Sequence, residues 1–558
     1  MREGGSRCKT FSLSLCFVFR KSVIRLAMDG NMKSCFGRAL CTYLALFFGG
    51  ASACFAQTPQ KIIDDYLHAE GGAKALAKIQ TLTIAGNLRE DASDASGSYS
   101  LITKAPNKFY SEILIEPQHT ISAYNGMSAW SQDAGSTPHT LTGADAVEWA
   151  GTARYLNERL VDAKKNKLGA KFVAMENVAG RPAYHVEFLI ASGVTRGVFF
   201  DAQTHLIVRE IIPPPAQRLL PASDRADSQP HDKQSARTAD EIEYFDYKSV
   251  NGILEPNRME LHRGGHIYQI AITRVEINSP VADSIFDFPR AEDRPLPDVA
   301  KLLLDIEKNQ MAVENILKQY TCHLSEEEEK TDSNGQVTSR SVKEYDMFYI
   351  GEDEVRHMLA KDGKPLEGDE KKKEDERFSK DFDEKKKKQT ELENDPKKQA
   401  KRDEEEQAQI SDFLRAERFT NPRRELFRGQ EVIVFDFGPN PDYKPKKLIE
   451  SVVQKLSGVL WVDEQARDVA RLEARFNDNV KIGGGILASL SKGSNLVLEQ
   501  TMVNNEVWLP SYSEVHAAAR VVFFKVKQNE IDRYSDYKKF SSEVRLGAST
   551  PVEEKPKQ

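Results

Sequence analysis

Gly197-Val198-Phe199-Phe200-Asp201-Ala202-Gln203, followed by Leu206-Ile207-Val208-Arg209, has a counterpart far along the chain. That counterpart is Val459-Leu460-Trp461-Val462-Asp463-Glu464-Gln465, followed by Asp468-Val469-Ala470-Arg471. Without gaps, Phe199 aligns with Trp461, Asp201 with Asp463, Gln203 with Gln465 and Arg209 with Arg471. Each copy is two β-rich runs around an Asp-led turn. An aspartate opening a turn accepts hydrogen bonds from its own backbone, so the shared aspartates need no catalytic role. The copies predict one register-fixing hairpin in each of two related β-rich domains. No catalytic motif repeats with them.

The rest of the sequence fits two domains. At 558 residues the chain exceeds what one core usually organises. The net charge is −7, and residues 1–56 carry eight Lys/Arg against two Asp/Glu, which leaves about −13 beyond them. An acidic body argues against non-specific nucleic-acid binding, which needs clustered positive charge. Five of the six cysteines lie in that leader, and Cys322 alone lies beyond it. One thiol supports neither an internal disulfide nor a cysteine-rich metal site. Cys322 is expected to act as a small buried hydrophobe.

The leader gives an address. Lys33 and Arg38 precede the apolar run 39–48, and small residues lead to Ala56. This is the pattern of a secretory signal peptide, read as residues 32–56 with cleavage after Ala56. Residues 1–31 read as an extended leader or a misplaced start, since Met32 can open the signal. Ala51-Ser52-Ala53 before Cys54 loosely resembles a lipobox but lacks its leading Leu, so lipidation at Cys54 is not the favoured reading. The protein is expected to be periplasmic or secreted, with peripheral or no membrane contact after cleavage.

Periodicity sets the internal order. Thr58 and Pro59 open a predicted helix over 58–80, interrupted at Gly71-Gly72. Period-two strands follow, then a helix over 144–165 and more strands. The first domain is assigned 57–289, with a polar, Pro-rich insert at 213–239. A linker is placed at 290–297. The second domain, 298–548, opens with a helix at about 298–318, and residues 549–558 form a tail. A Lys/Glu-rich insertion at 363–409 reads as a solvated helix, with Phe378 and Phe382 able to pin one turn. It is either a partner-binding arm or an exposed helix with no partner.

These segments together resemble the LolA-like superfamily of periplasmic lipoprotein carriers and related lipid carriers. The resemblance rests on 69–79, on Tyr124-Asn125-Gly126-Met127-Ser128-Ala129-Trp130 with Asn125 in place of the usual Asp, and on 180–186. It rests also on the hairpin at 197–209 and on 250–256. The second half offers Gly429–Phe435 and Val503–Pro510 in matching order. The resemblance implies an α+β fold of two tandem domains. Each would be a curved antiparallel sheet, an open half-barrel, with helices on its concave side enclosing an apolar cleft. It places no functional residue.

Other patterns were weighed as chemistry. His262-Arg263-Gly264-Gly265-His266 has helical metal-ligand spacing, but two glycines between strand-like runs favour a hairpin. Ser489-Leu490-Ser491-Lys492 and Lys481-Ile482-Gly483-Gly484-Gly485 lack the companions that give such motifs meaning. Trp130, Phe199, Trp461 and Trp508 are the weak cleft candidates, with core packing as their alternative. No catalytic residue, cofactor or metal is expected. The expected function is non-covalent binding of a hydrophobic or acylated ligand, a lipid or a lipoprotein acyl chain. The alternative is a protein–protein scaffold of the envelope using the charged arm, and a hydrolase comes third.

Overall fold

The computed structural model describes residues 58–539, apart from 92, 94, 117, 164–167, 192–193, 213–238, 290–294, 332–336, 352, 396–412, 414, 447, 483–487 and 522–523. The segment read as a signal peptide, its expected cleavage point after Ala56 and Cys54 therefore lie outside the described residues. So do nearly all of the insert at 213–239, most of the linker, the end of the charged insertion and the tail. The chain forms two compact units. One holds the described residues up to Pro295 together with Asn421–Asp436, and the other holds Leu296–Thr420 and the residues from Phe437 on.

The first unit opens with helix α1, Pro59–Glu70. Thr58 caps it, its hydroxyl oxygen accepting from the Lys61 N–H at 3.3 Å, and Pro59 fills the first turn. Gly71, at φ 145°, breaks the helix before the single turn α2, Ala73–Leu76. The predicted helix over 58–80 is thus two pieces. A 13-stranded antiparallel sheet follows. From one edge it runs His139–Thr140, Ala129–Gln132, Gln118–Tyr124, Lys108–Ile115, Ser96–Lys104 and Thr81–Glu90. It continues with His266–Ile277, Arg258–Arg263, Asp240–Phe245, Ile207–Ile212, Val194–Asp201, Arg181–Ala191 and Gly169–Val178. Its edges do not pair, so the sheet is open. Helix α3, Gly143–Glu158, lies between the strands His139–Thr140 and Gly169–Val178 in chain order.

The core lies where α1 and α3 meet one face of this sheet. Ile62, Ile63, Tyr66 and Leu67 of α1 are buried with Leu82, Ile84, Phe188, Val198 and Phe200. Tyr66 and Phe200 meet edge to face at 5.3 Å. Burying a side chain of this size contributes about 1.5–3 kcal/mol, enough to hold helices of modest propensity on the sheet.

The second unit opens with α4, Val299–Leu317. Its sheet also has 13 strands. It runs Lys364–Pro365, Asp353–Lys361, Val337–Ile350, Tyr320–Thr331, Phe524–Lys539, Val507–Val521 and Asn495–Val503. It continues with Asp468–Phe476, Leu456–Asp463, Gln430–Pro439 and Glu417–Phe427, of which residues 421–436 belong to the first unit. A side hairpin, Val480–Ile482 with Ala488–Leu490, pairs with Val507–Val521. The charged stretch forms α5, Gly368–Glu393. A short helix α6 spans Leu448–Val453.

The two sheets share one connectivity. In each, the first long strand pairs with the last: Thr81–Glu90 with His266–Ile277, and Tyr320–Thr331 with Phe524–Lys539. In each, the hairpin read from the sequence supplies the third and fourth strands back from that last strand. The hairpins match in detail. Asp201 Oδ1 accepts from the Gln203 and Thr204 N–H groups at 2.9 and 2.8 Å. Asp463 Oδ1 accepts from those of Gln465 and Ala466 at 2.8 and 2.9 Å. His205 and Arg467 both take positive φ, at 62° and 55°. Arg209 faces Phe199 and Arg471 faces Trp461 in register, each guanidinium over its ring at 5.9 and 5.6 Å.

Three local details follow from single residues. The run 253–262 is split at Pro256 into Ile253–Glu255, in a small separate hairpin, and Arg258–Arg263. Proline cannot donate to the ladder, which accounts for the break. Gly264 and Gly265, at φ 61° and 85°, make the expected hairpin turn. In α5, Lys388 bonds Asp353 on the neighbouring strand at 2.8 Å.

Candidate functional site

The first unit contains a cavity of about 690 Å3 between α1, α3 and the sheet face. Its walls come from alternate residues of successive strands, as a pleated sheet requires. Leu82 and Ile84, Tyr99 and Leu101, and Ile113 are contributed by three neighbouring strands. The opposite wall has Ile242, Tyr244, Met259 and Leu261. Helix α3 crosses above with Trp149, Tyr155 and Leu156, and the Trp149 ring stacks on Phe109 at 5.1 Å.

Two buried ionic groups lie in this wall beside its aliphatic and aromatic side chains. In the first, Arg159 Nη1 donates to Glu255 Oε1 at 2.9 Å and reaches Glu70 Oε1 at 3.3 Å, with all three side chains under a tenth exposed. Arg159 caps the C-terminus of α3 in the left-handed region, φ 46°, a position that usually favours glycine. The two carboxylates, from the end of α1 and from Ile253–Glu255, fix a guanidinium there. In the second group, Arg196 Nη1 donates to Glu210 Oε2 at 2.9 Å. Tyr155 and Tyr244 donate their hydroxyls to Glu210 at 2.6 and 3.1 Å. The Arg196 guanidinium lies 4.7 Å from the Tyr155 ring centre.

Burial governs the protonation states. It raises the Glu70 carboxyl to about 7, with Arg159 opposing and Glu255 adding to the rise. The carboxylates more than offset burial at Arg159 and Arg196, so both stay cationic. Burial lifts Tyr66, Tyr155, Tyr244 and Tyr247 well above the ordinary phenol range, which keeps them as neutral donors. Two buried polar atoms remain without partners, Glu70 Oε2 and Arg196 Nε.

The aromatic residues singled out from the sequence are all buried, and none lines this cavity. Trp130 donates its indole N–H to the Phe286 carbonyl at 3.0 Å. Phe199 stacks on His185 at 4.2 Å, on the sheet face away from the core that holds Phe200. Trp461 lies beneath Arg471, and Trp508 donates to Asp463 Oδ2 at 3.0 Å. Asn125 closes its turn, its Oδ1 accepting from the Met127 and Ser128 N–H groups at 2.9 Å each. Within this unit, Arg423 donates to Asp436 and Thr140, and Asn125 reaches Asp436 Oδ2 at 2.9 Å.

The residues that give the cavity its chemistry are Glu70, Arg159, Arg196, Glu210 and Glu255, and sequence reading passed over them. A signal existed for one of them. Arg196 occupies the same face as Val194, Val198 and Phe200, a lone charge on an apolar alternation.

Elsewhere, His262 and His266 are engaged separately, with Glu260 and Glu90. Ser489 lies in the strand Ala488–Leu490, and Gly483–Gly485 fall outside the described residues. Cys322 is buried, which pushes its thiol up to about 12, far from the thiolate a nucleophile needs. Among the described residues, Glu326, Glu530 and Asp532 lie close enough to share a cation, but Glu326 is bound to Arg356 and Lys343. No helix among the described residues is long and apolar enough to cross a membrane.

No family model matches the sequence, and no curated protein matches it. Solved structures similar to it include a LolA superfamily protein from Nitrosomonas europaea, with 14% identity over 41% of this chain and 98% of that one at a TM-score of 0.27. An outer membrane lipoprotein-sorting protein domain from Vibrio parahaemolyticus has 8% identity over 41% and 97%, with a TM-score of 0.26. A DUF1329 family protein from Desulfovibrio piger has 13% identity over 41% and 96%, with a TM-score of 0.27.

Proposed function

We propose that this is an exported cell-envelope protein whose first unit holds the hydrophobic part of a lipid or an acylated protein, without covalent chemistry. The observation that carries this reading is the cavity of about 690 Å3, walled by aliphatic and aromatic side chains between the sheet and two helices. Its size falls in the roughly 300–1,000 Å3 range of small-molecule sites. Each methylene moved into such a wall from water contributes about 0.8 kcal/mol, so a medium-length acyl chain supplies ample binding energy. The leader read at 32–56 supports export. The two sheets of one connectivity support a duplicated carrier-like domain.

The direct experiment is native mass spectrometry of the mature chain purified from an envelope fraction. A co-purified lipid mass, released by organic extraction, is the expected result. A protein that arrives empty and takes up no acyl probe would end this reading.

A second reading keeps one specific observation. Helix α5 leaves most of its 26 residues exposed, with dense charge of both signs, which suits a protein partner. Deletion of 368–393 that removes a captured partner while leaving lipid mass in place would assign the two roles to different units.

A further inference from the structure

The polar part of the cavity constrains the kind of acyl ligand that fits, given the proposed acyl-binding role on which this inference rests. Both arginines in the wall are already committed. Arg159 serves Glu70 and Glu255, and Arg196 serves Glu210. Three carboxylates thus face two guanidinium groups, all of them under a tenth exposed. Around the whole lining, seven acidic residues stand against three arginines, with no lysine. A free carboxylate or phosphate head would enter a wall where three buried carboxylates already engage both buried guanidinium groups. It would lose its hydration without gaining an uncommitted cation, a combination that is strongly unfavourable at low dielectric.

The unpartnered atoms point the same way. Arg196 Nε is a buried donor that no acceptor of the protein satisfies, and Arg196 is 2% exposed. An ester or amide carbonyl is the neutral acceptor that meets it. Glu70 Oε2 is the second unmet atom, on a residue 6% exposed. With its carboxyl near half-protonation at neutral pH it can donate to an ester oxygen or accept from a hydroxyl. Leaving buried groups of this kind unmade costs about 1–3 kcal/mol each, so a ligand that completes them gains affinity.

We propose that the cavity takes acyl chains joined through an uncharged ester or amide, and rejects the same chains as free carboxylates. The ligand class is then a glyceride-like or amide-linked acyl group, with no anionic head inside the wall.

The test is calorimetric titration of the mature full-length chain, near pH 8 and below micelle formation, with two probes of equal chain length. These are 1-monolauroylglycerol and laurate. The glycerol ester is expected to bind at least about tenfold more tightly. Laurate binding as well as the ester, or better, would overturn the selectivity and leave the acyl-binding reading standing. Binding of neither probe would overturn the acyl-binding reading itself. Glu255→Gln removes one buried negative charge and keeps the shape, so it should narrow the gap by strengthening laurate. Glu210→Gln provides the same measurement at the other arginine should the first variant fail to fold. A gap that neither folded variant narrows would show that charge is not its cause.

Discussion

Helices α3 and α5 occupy the same step in two sheets of one connectivity, yet they do opposite things. Each follows the short edge strand that ends the first run, and each precedes the strand at the far edge. Helix α3 lies across the sheet face, brings Trp149, Tyr155 and Leu156 to the cavity, and ends in the buried Arg159. Helix α5 meets its sheet through Phe378 and Phe382, which lie 6.3 and 6.2 Å from Phe348, and through Glu374, Arg377, Lys385 and Lys388, and leaves most of its remaining side chains exposed. What appeared in the sequence as a charged insertion thus has a counterpart in the first unit. Strand order fixes where a helix enters, and side-chain polarity decides whether it covers a cavity or stands in solvent.

The comparison breaks most sharply at the buried ions. Arg196→Met leaves Glu210 in the cavity wall without its cation, and the loss of stability should be about 3–5 kcal/mol by urea unfolding. A loss under about 1 kcal/mol would mean that water reaches this pair as it reaches those of α5.

The next effect is one of pH. Burial, against Arg159 and with Glu255, holds the Glu70 carboxyl at about 7, where the ordinary value is 4.5. Between these values the folded state keeps a proton that the unfolded chain has released. Stability should therefore fall as pH rises through that window, by up to roughly 3 kcal/mol. Unfolding of the parent protein and of Glu70→Gln from pH 4 to 8 checks it, since the variant should lack this component of the slope.

A smaller loss is expected at the apolar seam of α5. The double change Phe378→Ala and Phe382→Ala removes half-buried rings and should cost about 1–3 kcal/mol. Hydrogen exchange should then speed up across 368–393, while acyl binding by the first unit stays unchanged. Smallest of all is Lys380→Ala. Its pair with Glu384 has side chains 78% and 69% exposed, so the change should be at most about 1 kcal/mol in the same unfolding assay.

Much of the scaffold was legible because its signals are local. Thr58-Pro59 starts a helix, Gly264-Gly265 turns a hairpin, and the Asp-led turns at 201 and 463 cap their own backbones. The strand Asp353–Lys361 was missed because its Arg356-His357 centre and flanking charges hide the alternation. The site was harder to read because neighbouring residues in a strand face opposite ways. Phe199 and Phe200 look equivalent in sequence, yet only Phe200 joins the core beneath α1, and a single step of register separates them. The ion groups were illegible for another reason. Glu70, Arg159 and Glu255 come from three separate elements, and no spacing along the chain announces their meeting.

The pairing of first with last strand has a consequence in time. Leu82 faces Ile277, and Tyr320 faces Lys539, so neither sheet can be completed until its final strand has been synthesised. Contacts of such long sequence separation make closure slow. Until then, the edge of Thr81–Glu90 and the apolar face beneath α1 stay open, a period in which an emerging chain is best served by a holding chaperone.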